Sequence, residues 1–234
     1  MDNKYERIIE ERTLSDMHGA GTYFQRLSGI DPDNIPEKYG DCVIEAQKIL
    51  AGNCTAKVLY QRLVIKSSDN TSVTVSCNGL EYTLKGEMAA KVLSESSELY
   101  AFVATLDGYE NIPTNDIMLE YMMDTWGSAY TECMQTEFAN RISEVAFDEG
   151  MIRTHVWCPG QFKFDLKNQT TLFDILKPED IGCKLTDRLM MVPVKSASGI
   201  IGLVSDSNSE LIKPCDYCKH RSTCPSSNKG CAAL

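Results

Sequence analysis

"VWCPGQFKFDLKNQTTLFDILKPEDIGCKLTDRLMMVPVKSASGIIG" (residues 156–202) is the stretch on which the reading of this chain turns. Pro159-Gly160 predicts a tight turn at which backbone can approach a ligand with no Cβ in the way. "TTLFDILKPEDIG" predicts a compact helix that Pro178 stops. "LMMVPVKSASGIIGLVSD" predicts a strand, a turn carrying the hydroxyls of Ser196 and Ser198, and a second strand. A Ser-rich turn of that kind serves equally as a ligand loop or as a plain hairpin connection.

Working outward, residues 1–30 are polar without a clear period and read as helix or extended arm. "RIIEERTLS" does not read as an apolar strand. "NIPEKYGDCVIEAQKILAG" predicts a helix opened by Pro36 and closed by Gly52, with Val43, Ala46, Ile49 and Leu50 near helical spacing. "TAKVLYQRLVIKSS" and "TSVTVSCNGLEYTLKG" alternate apolar and β-branched residues and predict two to four antiparallel strands, with a turn at Asn78-Gly79. "GEMAAKVLSESSE" predicts a short helix and "LYAFVATLDG" a buried strand ending at Gly108. The segment from Asn111 to Gly150 predicts the longest helix, with Met118, Tyr121, Met122, Thr125, Ala129, Cys133 and Phe138 on one core-facing side.

The 234 residues are 43% apolar and 24% charged, the balance of a globular protein long enough to bury a sizeable core. A formal net charge of −10 argues against a nucleic-acid surface, which needs clustered Lys and Arg. The N-terminus lacks a signal-peptide pattern and no stretch approaches a membrane span, so a cytoplasmic location is expected. In that compartment ten cysteines are not expected to form a disulfide framework.

Four of them, Cys215, Cys218, Cys224 and Cys231, close the chain with the spacing C-x2-C-x5-C-x6-C. A C-x-x-C pair places two thiolates on one turn, and two later cysteines complete a tetrahedral set that suits either Zn²⁺ or an iron–sulfur cluster. Cys42, Cys54, Cys77 and Cys133 read as buried small residues. Cys158 and Cys183 flank the quoted stretch and merit attention as functional candidates. "DMHGAG" (Asp16, His18, Gly21) matches a corrinoid-ligating D-x-H-x-x-G pattern, but with no strand expected before it the match reads as a turn. Three scattered histidines make no Ser/His/Asp arrangement.

Pro159, Gly160, Ile181, Gly182, Leu185, Thr186, Met191, Pro193, Ser196, Ser198 and Gly199 fall in the order and spacing of the activation (reactivation) domain of cobalamin-dependent methionine synthase. The chain resembles that family, more closely its free-standing relatives from anaerobes, some of which end in a Cys-rich tail. "LYAFVATLDG", "DTWGSAYTE" and the helix-then-strand block at 36–65 extend the resemblance over nearly the whole length.

The resemblance implies an α+β fold: one activation-domain-like unit at 1–208 with a curved, mostly antiparallel sheet flanked by helices. A Cys-rich metal-binding tail at 209–234 follows it. It further implies reductive reactivation of a corrinoid protein or cobalamin-dependent methyltransferase, coupled in the family to methyl transfer from S-adenosylmethionine. Pro159, Gly160, Gln161, Met191, Pro193, Ser196, Ser198 and Gly199 would be its ligand-binding residues. The expected cofactor is an iron–sulfur cluster on the four tail cysteines, with zinc as the alternative, and the corrinoid resides on the partner. The family's ligand-holding arginine and tyrosine correspond here to Val156 and Gln161. Valine makes no bidentate contact with a carboxylate, and Arg153 or His155 would have to compensate. The competing reading is a non-redox module that grips a corrinoid protein or small ligand and carries a structural zinc tail.

Overall fold

Ser96–Asp107 (β5) is apolar at consecutive positions, the pattern of a strand covered on both faces. The computed structural model describes residues 4–205 and 211–223, and in it β5 lies inside the sheet between two cores. Tyr100, Phe102, Ala104 and Leu106 enter one core, and Leu99, Ala101 and Val103 enter the other.

On one side β5 pairs antiparallel with β2 (Thr55–Ser68), and on the other with β9 (Ser196–Val204). The far edge of β2 is divided. Its first half pairs with β1 (Arg7–Thr13) and its second half with β3 (Ser72–Cys77). β3 turns back into β4 (Leu80–Lys85) through Asn78 and Gly79, both at positive φ (51° and 81°), as a two-residue hairpin of the strands' own twist requires. The two-residue β6 (Ile152–Arg153) borders β9 and completes a seven-stranded sheet in which every pair is antiparallel. β7 (Lys184–Leu185) and β8 (Met191–Val192) form a separate small ribbon.

Helices α1 (Ala20–Ser28), α2 (Gly40–Asn53) and α4 (Ile117–Asp148) cover the Phe102 face. α3 (Glu87–Val92) and α5 (Asn168–Leu176) cover the Val103 face. α4 starts where the Asp116 carboxylate accepts from the N–H groups of Met118 and Leu119 at 2.8 and 3.1 Å, a cap worth about 1 kcal/mol. Aromatic rings fill its interface with the sheet: Trp126 stacks on Phe24 at 4.1 Å, and Phe138 meets both Tyr60 and Phe102 at 5.0 Å. α5 stops at Lys177, which takes a left-handed conformation before Pro178. Gly108 ends β5 at φ 92°, where a Cβ would lie 2.2 Å from the carbonyl oxygen of Asn53, so only glycine fits that corner.

Three expectations change. "RIIEERT" is a strand after all, because β2 offers it backbone partners along seven positions. Met118 and Tyr121 lie on the expected side of α4 but are 43% and 53% exposed. They sit in its first turns, where a groove beside Ile30 and Tyr39 stays open. Ser196, Ser198 and Gly199 belong to β9 itself, since pairing with β5 extends that strand back as far as Ser196.

A buried ionic knot ties the N-terminal arm and the end of α4 to the sheet. Arg62 on β2, 1% exposed at its side chain, holds both oxygens of Glu149 at 2.5 and 2.6 Å and also bonds Glu98. Glu98 in turn receives Tyr5 and Lys4 from the N-terminal arm. Burial pushes the Glu98 carboxyl up, but the bonds from Tyr5, Lys4 and Arg62 outweigh it and hold it below its ordinary value. The Arg62 bond does the same for Glu149. Carboxyls depressed in the folded state stabilise it above their unfolded value of about 4.3 and lose that contribution as pH falls through the folded value. Thermal unfolding followed by circular dichroism should therefore show the melting temperature falling below about pH 4.3. Arg62→Met should cost about 3–5 kcal/mol at pH 7, because it leaves a buried carboxylate without its arginine.

Candidate functional site

The Pro-Gly turn is built by its own backbone. Gly160, at φ 91°, donates its N–H to Phe164 O at 2.8 Å, and the Phe164 N–H donates to Gln161 O at 2.7 Å. The Gln161 side chain folds inward, its Oε1 accepting from the Cys158 N–H at 3.1 Å. Phe162 and Lys163 follow in left-handed conformations. The loop presses on Gly86, where a Cβ would lie 2.5 Å from Lys163 O.

Trp157 joins this loop to β9. Its N–H donates to Ile200 O at 3.1 Å and its carbonyl accepts from the Ile200 N–H at 2.9 Å. Gly199 permits the approach, since a Cβ there would meet Trp157 O at 2.9 Å and Phe102 Cε1 at 2.8 Å. The bridge is antiparallel, so Pro159, Gly160 and Gln161 follow Trp157 on the side on which Ser198 and Gly199 precede Ile200. Ser198 is buried and, by strand alternation, shares a face with Ser196 and Ile200.

Met191, Pro193 and Ser196 form a second group around Cys183. Ser196 Oγ donates to Pro193 O at 2.6 Å, lies 2.6 Å from Thr105 Oγ1, and accepts from Cys183 Sγ at 3.7 Å. Met191 pairs with Leu185 in the β7–β8 ribbon, and the Val192–Pro193 peptide is cis. Every hydroxyl contact of Ser196 is thus made within the chain.

Arg153 Nε donates to Ser143 Oγ at 2.6 Å on α4 and its Nη1 to Thr154 O at 3.0 Å, so this guanidinium is already engaged. Val156 is buried in the Phe102-side core. Burial pushes the Cys158 thiol up to about 12 and the Cys183 thiol up to about 11, the latter against the opposing bonds from Ser196 and Thr105. Both are protonated at neutral pH and poor nucleophiles. Cys54 and Cys133 are likewise raised, to about 11 and about 12, with burial first among the causes. Cys42 is only half-buried.

Lys195 escaped the sequence reading. Its Nζ donates to Asp124 Oδ1 at 2.6 Å and to Ser128 Oγ at 2.9 Å, fastening the start of β9 to α4. Gly127 admits it, since a Cβ there would lie 3.0 Å from Lys195 Cγ. The available signal was a glycine inside the helical run "DTWGSAY".

In the tail, Pro214–Tyr217 forms one 3-10 turn, and the Cys218 N–H donates to Cys215 O at 3.2 Å. Both cysteines are partly exposed, and an Asp216–Arg221 ion pair of 2.7 Å sits on the turn. Cys224 and Cys231 lie outside the described residues. Among the described residues no group of three or more His, Cys, Asp or Glu side chains is arranged to hold a metal ion. What is present fits half of a four-thiolate set: two thiols of a C-x-x-C pair on one turn, open to solvent. His18 lines a polar cleft with Asp31, Asp33 and Gln47 ahead of α1. The strand before it, β1, is polar and antiparallel, unlike the apolar strand of a βα unit.

These elements define a mixed α/β protein with an antiparallel sheet between two helical layers. No protein-family model matches the chain, and no curated protein matches it. Among solved structures it is similar to the crystal structure of the MetH reactivation domain bound to AdoHcy, with a TM-score of 0.57 and 12% sequence identity over 91% of this chain and 83% of that one. At that identity the likeness shows a reactivation-domain-like fold. No helix among the described residues is long and apolar enough to cross a membrane.

The thiols divide into two chemical classes, and alkylation should separate them. Iodoacetamide at pH 7.5 should label Cys215 and Cys218 in metal-free native protein within minutes. Cys54, Cys133, Cys158 and Cys183 should resist until the chain is unfolded, as read by peptide mass spectrometry.

Proposed function

We propose that the chain reductively reactivates a corrinoid protein, with Cys215, Cys218, Cys224 and Cys231 holding an iron–sulfur cluster. One observation carries the reading: a C-x-x-C turn lies on a domain whose fold is that of the MetH reactivation domain. A four-thiolate cluster supplies electrons one at a time, at potentials that reach about −700 mV. One electron from a cluster held there would convert Co(II) of an inactive corrinoid on the partner to Co(I), leaving the cluster oxidised by one electron.

The solved neighbour holds AdoHcy, the demethylated form of S-adenosylmethionine. That motivates the companion proposal that Pro159, Gly160, Gln161, Met191, Pro193, Ser196, Ser198 and Gly199 border a site for this class of ligand. Methyl transfer would consume the scarce Co(I) and draw the uphill reduction forward, as any ligand of a minor state shifts its population. The chain's own part would then be to bring the Pro-Gly loop and the start of β9 against the ligand, with Trp157 and Gly199 setting their spacing.

A second reading is favoured by specific contacts. Val156 is core, Gln161 is folded onto Cys158, and Ser196 is saturated within the chain. A module that grips a corrinoid protein without S-adenosylmethionine or redox chemistry, with a zinc tail, also fits them.

Anaerobic purification with metal and sulfide analysis separates the two. The first reading expects about four iron and four sulfide per chain, an electron paramagnetic resonance signal after dithionite reduction, and a Co(II) to Co(I) spectral change with a corrinoid partner. Stoichiometric zinc without iron would overturn it. Calorimetric titration with S-adenosylmethionine tests the companion site, which a dissociation constant in the micromolar range would support.

A further inference from the structure

The described part of the tail lies against the domain on the Val103 side of the sheet. Ile212 packs against that core. Tyr217, the residue between the two cysteines that faces the domain, meets the Trp157 ring edge-on, with centroids 6.4 Å apart and planes at 66°. Its hydroxyl accepts from Lys91 Nζ on α3 at 2.8 Å, and the same ammonium lies 5.4 Å from the centre of its ring. Tyr217 and Lys91 also border a cleft of about 420 Å³ between tail and domain, together with Ser94, Glu95, Thr154 and Leu211. The turn is therefore held through Tyr217, by its ring and its hydroxyl, and the segment before it through Ile212.

Trp157 is an unusually fixed platform for such a contact. It is 1% exposed, both its backbone groups are bonded to Ile200, and Phe162 of the Pro-Gly loop meets its ring at 6.3 Å. Its indole N–H has no partner among the described residues. Whatever moves the C-x-x-C turn through Tyr217 thus bears on a residue whose ring also meets Phe162 of the Pro-Gly loop and whose backbone is bonded to Ile200 in the middle of β9.

We propose that Tyr217 latches the C-x-x-C turn onto Trp157, so that the state of Cys215 and Cys218 is transmitted to the Pro159-Gly160 loop. The latch stands on the geometry alone, whereas the transmission rests on the tail being a metal site. Tyr217 acts as a positioning residue: it sets where the thiolates sit relative to the loop and takes no part in binding metal.

The test uses the full chain as wild type, Tyr217→Leu and Tyr217→Phe, first metal-free and then reconstituted anaerobically with ferrous iron and sulfide or with zinc. In metal-free protein, amide hydrogen exchange over residues 211–218 should quicken about tenfold in Tyr217→Leu, roughly what one aromatic contact and one hydrogen bond are together worth. Tyr217→Phe, which keeps the ring and loses the Lys91 bond, should fall between. Unchanged exchange in Tyr217→Leu overturns the latch. Trp126 is the only other tryptophan, so a Trp157→Phe chain supplies the blank for Trp157 emission. Loading should change that emission in wild type and leave it unchanged in Tyr217→Leu at equal metal content. Equal changes in both overturn the transmission. Failure of wild type to take up iron or zinc overturns the metal reading and the transmission with it, and exchange still decides the latch.

Discussion

Burial of β5 on both faces is the constraint from which the other elements take their places. A strand has only two faces, and here neither is left to water, so helices must pack on both sides and the neighbouring strands must accept side chains of fixed size. Register follows from this: a slip of one residue would send Tyr100 and Phe102 into the core built for Leu99 and Val103. On the facing strand, glycines stand opposite two of the large residues of β5. Gly199 stands opposite Phe102 and Gly202 opposite Leu99. Gly199 is thus required by packing against Phe102 and Trp157.

The same economy governs the polar groups near the candidate site. Ser196, Gln161 and Arg153 spend their hydrogen-bonding capacity on the chain itself, which holds two loops in register with β9. Burying such groups without partners would cost about 1–3 kcal/mol each, so their internal bonds are what make the loops rigid. The thiols show the complementary logic. Cys54, Cys133, Cys158 and Cys183 in the domain are raised by burial, and Cys215 and Cys218 on the tail turn remain partly exposed. The two thiols of the C-x-x-C pair sit together on one turn, and the domain lies beneath it.

Much of this was legible in the sequence. The consecutive apolar run of β5, the alternation of β3 and β4 around Asn78-Gly79, and the long period of α4 each follow from burial pattern and turn chemistry. β1 was hidden because its side chains are mostly exposed and its stability comes from backbone pairing, which leaves no hydrophobic signature. Met118 and Tyr121 carry the right period, yet nothing in a period tells where coverage by neighbouring helices stops. At the site, Pro159-Gly160 and the β9 serines could be singled out, but the inward turn of Gln161 could not. The meeting of Tyr217 with Trp157 joins residues far apart in the chain, and only the folded molecule reveals such a pair.

The divided edge of β2 has its own consequence for how the protein behaves in company. A strand from Thr55 to Ser68 with a bare side would be a template for another chain's backbone. β1 covers Thr55–Gln61 and β3 covers Val64–Ser68, so two short strands set end to end close almost the full length. The edges that remain belong to β1, β4 and the two-residue β6. The first two carry charged side chains, Arg7, Glu10, Glu11 and Arg12 on β1 and Glu81 and Lys85 on β4. Charged or short borders resist sheet-to-sheet pairing, so the molecule is guarded against aggregation through its sheet even though its central strand is apolar over most of its length.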